Sequence, residues 1–214
     1  MKTSEFSHIF AAIIILGIVG SFEFGVKGQW EKIAAVFAFS AIIIFVSIFA
    51  KKIFAFMLDA DVEHEIWKMS RYGFKPAWHL KEPVPAGGIF PLFFSVFTLG
   101  AVKFMGILSY ETRALKYRAA KKFGFYSYKE MTDWHNGLIG SAGIFAVLIL
   151  TMISYLFPAL NLELLSKMAA YYAFSNIIPF SKLDGTQIFF GSKILWAVLA
   201  SIATIFMVLA FTLP

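Results

Sequence analysis

The chain has 214 residues, 59% of them hydrophobic and 18% aromatic, with a mean hydropathy of +0.75. A soluble domain of that length has too little interior to hide so much apolar surface, so the composition predicts an all-α, multi-pass integral membrane protein in a lipid bilayer. The net charge of +6 reads as anchoring at a membrane surface, no nucleic-acid-binding motif accompanies it, and the lack of cysteine excludes disulfides and thiolate metal sites.

The first apolar run, Phe6 to Phe24, is expected to be an uncleaved span, because no small-residue cleavage site follows it. A polar turn from Gly25 to Lys32 leads to a second run, Ile33 to Ala50, which Lys51 and Lys52 interrupt before Ile53 to Leu58 resumes it. A burst of charge follows: Asp59-Ala60-Asp61-Val62-Glu63-His64-Glu65-Ile66-Trp67-Lys68. Four acids and a histidine are costly in lipid, so they mark either a polar site or a helix end at the interface, with the two lysines at the boundary. On a helix, Asp61 and Glu65 share a face at i and i+4, with His64 beside them.

A Pro- and Gly-rich loop with Trp78 and His79 precedes a third span, Ile89 to Leu108, in which Lys103 either snorkels to the interface or pairs with an acid. Ser109 to Asn136 is the longest hydrophilic stretch, and its interleaved lysines, arginines and tyrosines suit an anionic membrane surface. Gly137 to Phe157 is the fourth span; its small residues at Gly140-Ser141-Ala142-Gly143 permit close helix approach. Ser166 to Phe180 is a short apolar segment, and Phe189 to Leu213 the last span, giving about six membrane segments. Lysine and arginine fall almost evenly on the two sides and leave the orientation open.

Between the last two segments lies Asn176-Ile177-Ile178-Pro179-Phe180-Ser181-Lys182-Leu183-Asp184-Gly185. Pro179 breaks the helix and Gly185 suits a tight turn, so the chain bends where the carboxylate of Asp184 sits. That carboxylate either caps the next helix or belongs to a site.

The pattern Asn-x-x-Pro-x-x-x-Leu-Asp-Gly resembles the C-terminal motif of the site-2 protease family of intramembrane zinc metalloproteases, whose aspartate is the third protein ligand of the zinc. The resemblance extends over residues 33–190, with an N-terminal helix and turn at 1–32 and a C-terminal helix at 191–214. It implies a His-Glu-x-x-His helix upstream, two imidazoles on one face and a glutamate base. His64-Glu65 begins such a motif, but Lys68 stands at the second histidine position and cannot ligate zinc. Aligning on Arg71-Tyr72-Gly73 instead, as in archaeal-type members, puts Asp61 and Glu65 at the histidine positions and Val62 at the base. Ser141-Ala142-Gly143 resembles the family's Ala-Gly-Pro-x-x-Asn helix start, with Ile144 for the proline and Val147 for the asparagine.

With the motif broken in both frames, the resemblance implies a pseudoprotease, impaired or inactive, that binds a membrane helix or partner in a groove near Asn176, Pro179 and Gly185. An active, divergent metalloprotease would hold its metal on Asp61, His64, Glu65 and Asp184, with Glu65 as the base. A small ion-coupled transporter or membrane scaffold would use the same acids for a proton or cation.

Overall fold

The computed structural model describes residues 3–71, 79–115, 131–157 and 162–212. Tyr72 and Gly73 of the upstream anchor, Trp78, most of the basic and tyrosine-rich stretch and the turn after Phe157 lie outside the described residues.

The first two helices, α1 (Thr3–Val26) and α2 (Glu31–Met57), form an antiparallel hairpin. Gly28, at φ 70°, supplies the left-handed residue in its turn. The hairpin packs closely because Gly17 lies under the Phe37 ring, where an added Cβ would sit 2.4 Å from the ring edge. Helix α2 is a single helix through Lys51 and Lys52, so the two lysines do not divide it.

Beyond α2, Asp59 at φ 54° turns the chain into strand β1 (Ala60–Ile66). The acidic segment is therefore a strand and not the end of a helix. Its period of two is visible in the side chains: Ala60, Val62 and His64 are buried while Asp61, Glu63 and Glu65 alternate with them toward solvent. β2 (Met69–Arg71) and β3 (His79–Val84) form one small antiparallel sheet. β1 pairs antiparallel with β4 (Leu108–Ala114) to form another, in a register that sets His64 opposite Tyr110. The all-α expectation is corrected to a mostly helical fold with these two sheets at its edge.

Helix α3 (Ala86–Phe97) has 12 residues, about 18 Å of length against the roughly 30 Å of a bilayer core. It stops because Leu99 and Gly100 both take the left-handed conformation. The expected span from Ile89 to Leu108 thus breaks in the middle, and its second half runs on into β4. The remaining helices are α4 (Asp133–Leu156), α5 (Glu163–Ile177), α6 (Asp184–Gly191) and α7 (Lys193–Thr212).

Among the described residues four helices, α1, α2, α4 and α7, are long and apolar enough to cross a membrane. The shorter α5 is buried on nearly every side and packs against α2, α4 and α7, which places it at the centre of the core. Many large apolar side chains remain exposed on the outer helices, among them Phe49, Phe145 and Ile205. That is compatible with a lipid surround.

Candidate functional site

The site forms where the C-terminal part of α2 meets the N-terminus of α6. A polar stripe runs down the buried face of α2 through Ser40, Ser47 and Lys51, at helical spacing in an otherwise apolar helix. Lys51 is only 2% exposed and lies along α4, where Gly143 makes room for it: a Cβ there would meet the lysine Cε at 2.4 Å. Its ammonium sits 4.8 Å from the centre of the Tyr110 ring and 2.5 Å from Oδ2 of Asp184, which is itself 1% exposed. The two groups form an ion pair sealed inside the protein.

Several features hold Asp184 there. After α5 ends at Ile177, Pro179 and Ser181, the latter at φ 55°, reverse the chain. Helix α6 then starts on Asp184, whose side chain makes no capping hydrogen bond and turns inward instead. Gly185 serves close approach rather than a turn conformation, since a Cβ on it would lie 2.0 Å from the Ile177 carbonyl oxygen. The second carboxylate oxygen, Oδ1, has no hydrogen-bond partner. Tyr110 closes the pocket: its hydroxyl donates to the Asn136 carbonyl at 2.6 Å, and its own carbonyl accepts from Gln187 at 2.9 Å. Burial and the neighbouring Asp184 charge push the Tyr110 hydroxyl well above the usual tyrosine range, so it stays a neutral donor.

A second buried cluster is built one residue further along α2. The Glu5 carboxylate, 3% exposed, takes the Lys52 ammonium at 2.8 Å and lies 3.2 Å from Nδ1 of His64. The His64 backbone N–H also donates to it, at 3.4 Å. Burial first, then the Lys51 and Lys52 charges, hold His64 well below the usual histidine range. A neutral ring beside a carboxylate that only accepts carries its proton on Nδ1, which leaves a lone pair on Nε2. That Nε2 is buried and has no partner.

The residues expected to form a metal site are not brought together. Asp61 is exposed on the outer face of β1, where it accepts a hydrogen bond from the Val62 N–H. Glu65 is on the same face, about 13 Å along the strand by the rise per residue, with Lys68 at 3.4 Å. His64 points to the opposite face, toward Glu5, and Asp184 is taken by Lys51. Among the described residues, no three of His, Cys, Asp and Glu gather into a group that fits a metal. Comparison with family models, with curated proteins and with solved structures returned no match for the chain.

Asn176 fastens the chain beside the site. It donates to the carbonyls of Tyr172 at 2.8 Å and Met105 at 3.3 Å, while the Met105 N–H donates to the Ser175 hydroxyl at 3.0 Å. The segment leading into β4 is thereby pinned to α5. Pro179 is exposed in the turn, and Phe180 next to it rests edge-on against the buried Trp67 with ring centres 5.7 Å apart. Sequence reasoning missed Lys51, Lys52, Glu5 and Ser47. The spacing Ser40, Ser47, Lys51 along one helix face was the signal that could have found Ser47 and Lys51.

Proposed function

We propose that the chain is a site-2-protease-like membrane protein of six membrane segments, with α3 and α5 as the two short ones, that binds a membrane helix without cleaving it. The observation that carries this reading is the ion pair of Lys51 with Asp184. In the family that the motif resembles, the aspartate faces a metal cation held by two residues at i and i+4 of a helix. Here the aspartate faces a cation too, but it is the ammonium of Lys51.

On this reading the counterpart of His-Glu-x-x-His is Ser47-Ile48-Phe49-Ala50-Lys51 in α2, and not the acidic segment after it. Ser47 and Lys51 share the buried face at i and i+4, and Tyr172 lies close to both Ser47 and Asp184. Each replacement removes a required function. Serine and lysine replace two imidazole ligands, and Ile48 replaces the base that would take a proton from water. The ammonium satisfies the buried carboxylate that metal loss would otherwise strand. The fold survives and hydrolysis does not. The exposed turn at Pro179 and Phe180, beside the segment pinned by Asn176, is the surface on which a membrane helix would lie.

The test is to rebuild the metal site. The triple variant Ser47→His, Ile48→Glu, Lys51→His is expected to bind about one zinc per chain, by the family's stoichiometry, and to lose it when Asp184→Ala is added. A folded triple variant that takes up no zinc would sink the assignment of α2 as the former zinc helix.

A further inference from the structure

At the far end of the bundle from Asp184, a cavity of about 690 Å³ opens between the C-terminal ends of α1 and α7 and the N-terminal ends of α2 and α5. Its charged lining is three lysines, Lys32, Lys103 and Lys167, against two glutamates, Glu23 and Glu163. Glu23 is already engaged, with Lys103 at 2.7 Å and Lys27 at 2.5 Å. Lys32 lies over the Phe24 ring at 5.3 Å, and Lys103 is 5.4 Å from the centre of the Tyr171 ring. Lys167 is half-buried, and among the described residues no carboxylate lies within ion-pair distance of it. The cavity therefore holds surplus positive charge in an aromatic-walled space. The starts of α2 and α5 add the positive ends of two helix dipoles.

Depth and surroundings define what fits. Lys32 and Lys51 are 19 residues apart on α2, about 28 Å along the helix and close to the thickness of a bilayer core. With α2 spanning a bilayer, the cavity lies at headgroup level on the membrane face opposite the Asp184 end. The rim on α7 continues into an exposed apolar face, Ile205, Val208 and Phe211. A water-soluble anion would use the lysines and leave that face bare, whereas a lipid uses both.

We propose that this cavity binds the phosphate headgroup of an anionic phospholipid between Lys32 and Lys167, with the acyl chains lying along α7. The detergent-purified full chain, mixed with equal amounts of phosphatidylglycerol and phosphatidylcholine, is expected to retain the anionic lipid selectively in native mass spectrometry. The variant Lys32→Gln/Lys167→Gln is expected to lose about thirtyfold in that retention, on the usual contribution of each of two lysines to binding an anionic lipid, and Lys32→Arg/Lys167→Arg to keep it. Equal retention of the two lipids by the unmodified chain would overturn the proposal without any variant. Inorganic phosphate that displaces the retained lipid at equal concentration would reassign the lysines to a free phosphate and overturn the lipid assignment.

Discussion

The Lys51 ammonium lies 2.5 Å from the Asp184 carboxylate with both side chains almost wholly out of solvent. Two charges taken from water at such a point lose hydration worth several kcal/mol each, and only their close contact offsets it. The pair is thus a commitment of the fold, and each partner depends on the other.

Breaking the pair on one side is expected to be costly. Lys51→Met or Asp184→Leu alone strands a buried charge and should destabilise the protein by about 3–5 kcal/mol. The double variant should recover most of that loss, because it strands nothing. Chemical denaturation in detergent of the two single variants and the double variant measures the difference. Additive losses would show that the pair is not coupled.

His64 makes stability depend on pH. Its pKa in the fold is held well below the ordinary 6.5 by burial and by Lys51 and Lys52, so below pH 6.5 the unfolded chain binds a proton that the folded chain refuses. Stability is then full above pH 6.5 and falls as the pH drops from there toward the folded pKa, by up to about 1.4 kcal/mol per pH unit. Melting temperatures of the unmodified chain and of His64→Gln between pH 8 and 5 check this. The slope should shrink in the variant, and an unchanged slope would remove His64 as its source.

Gly185 should tolerate no side chain. In Gly185→Ala the new Cβ meets backbone, the Ile177 carbonyl, and backbone cannot swing aside. A loss of about 1–3 kcal/mol is expected, as for other overpacked positions. In Gly143→Ala the obstacle is the flexible Lys51 side chain, which can shift. The cost there should be smaller in stability and should appear as a weaker coupling between Lys51 and Asp184. Equal losses for the two variants would contradict this account of their neighbours.

The strand at 60–66 can be read chemically, because the chain has no cysteine of its own. Single cysteines at positions 61, 63 and 65 should react with a water-soluble maleimide, and those at 60, 62 and 64 should not. Labelling with a period near 3.6 residues would mean a helix.

Much of this architecture was legible in the sequence. The four long apolar helices follow from run length and composition, and the bend that presents Asp184 follows from Pro179. The Lys103 partner, an acid within the bundle, was one of two options left open, and Glu23 is the one found. The acidic segment misled because His64, Asp61 and Glu65 carry metal-binding chemistry, and that drew attention away from the alternation of Asp61, Glu63 and Glu65 with Ala60, Val62 and His64. Period two was the stronger signal, and it places His64 and Asp61 on opposite faces. Lys51 was hidden for a different reason. Two adjacent lysines after an apolar run look like a membrane boundary, and only the helical phase shared with Ser47 separates the buried Lys51 from the more exposed Lys52. The cluster of Glu5 with His64 joins residues 59 apart in sequence, and no local pattern announces it.

The central claim is that the cation facing Asp184 belongs to the chain itself. Elemental analysis of the purified, unmodified protein beside Asp184→Ala tests it most directly. The account predicts no stoichiometric metal in either. About one zinc per chain in the unmodified protein, the stoichiometry of a catalytic site, and its loss in Asp184→Ala would contradict the claim, because zinc and the Lys51 ammonium cannot occupy the same place.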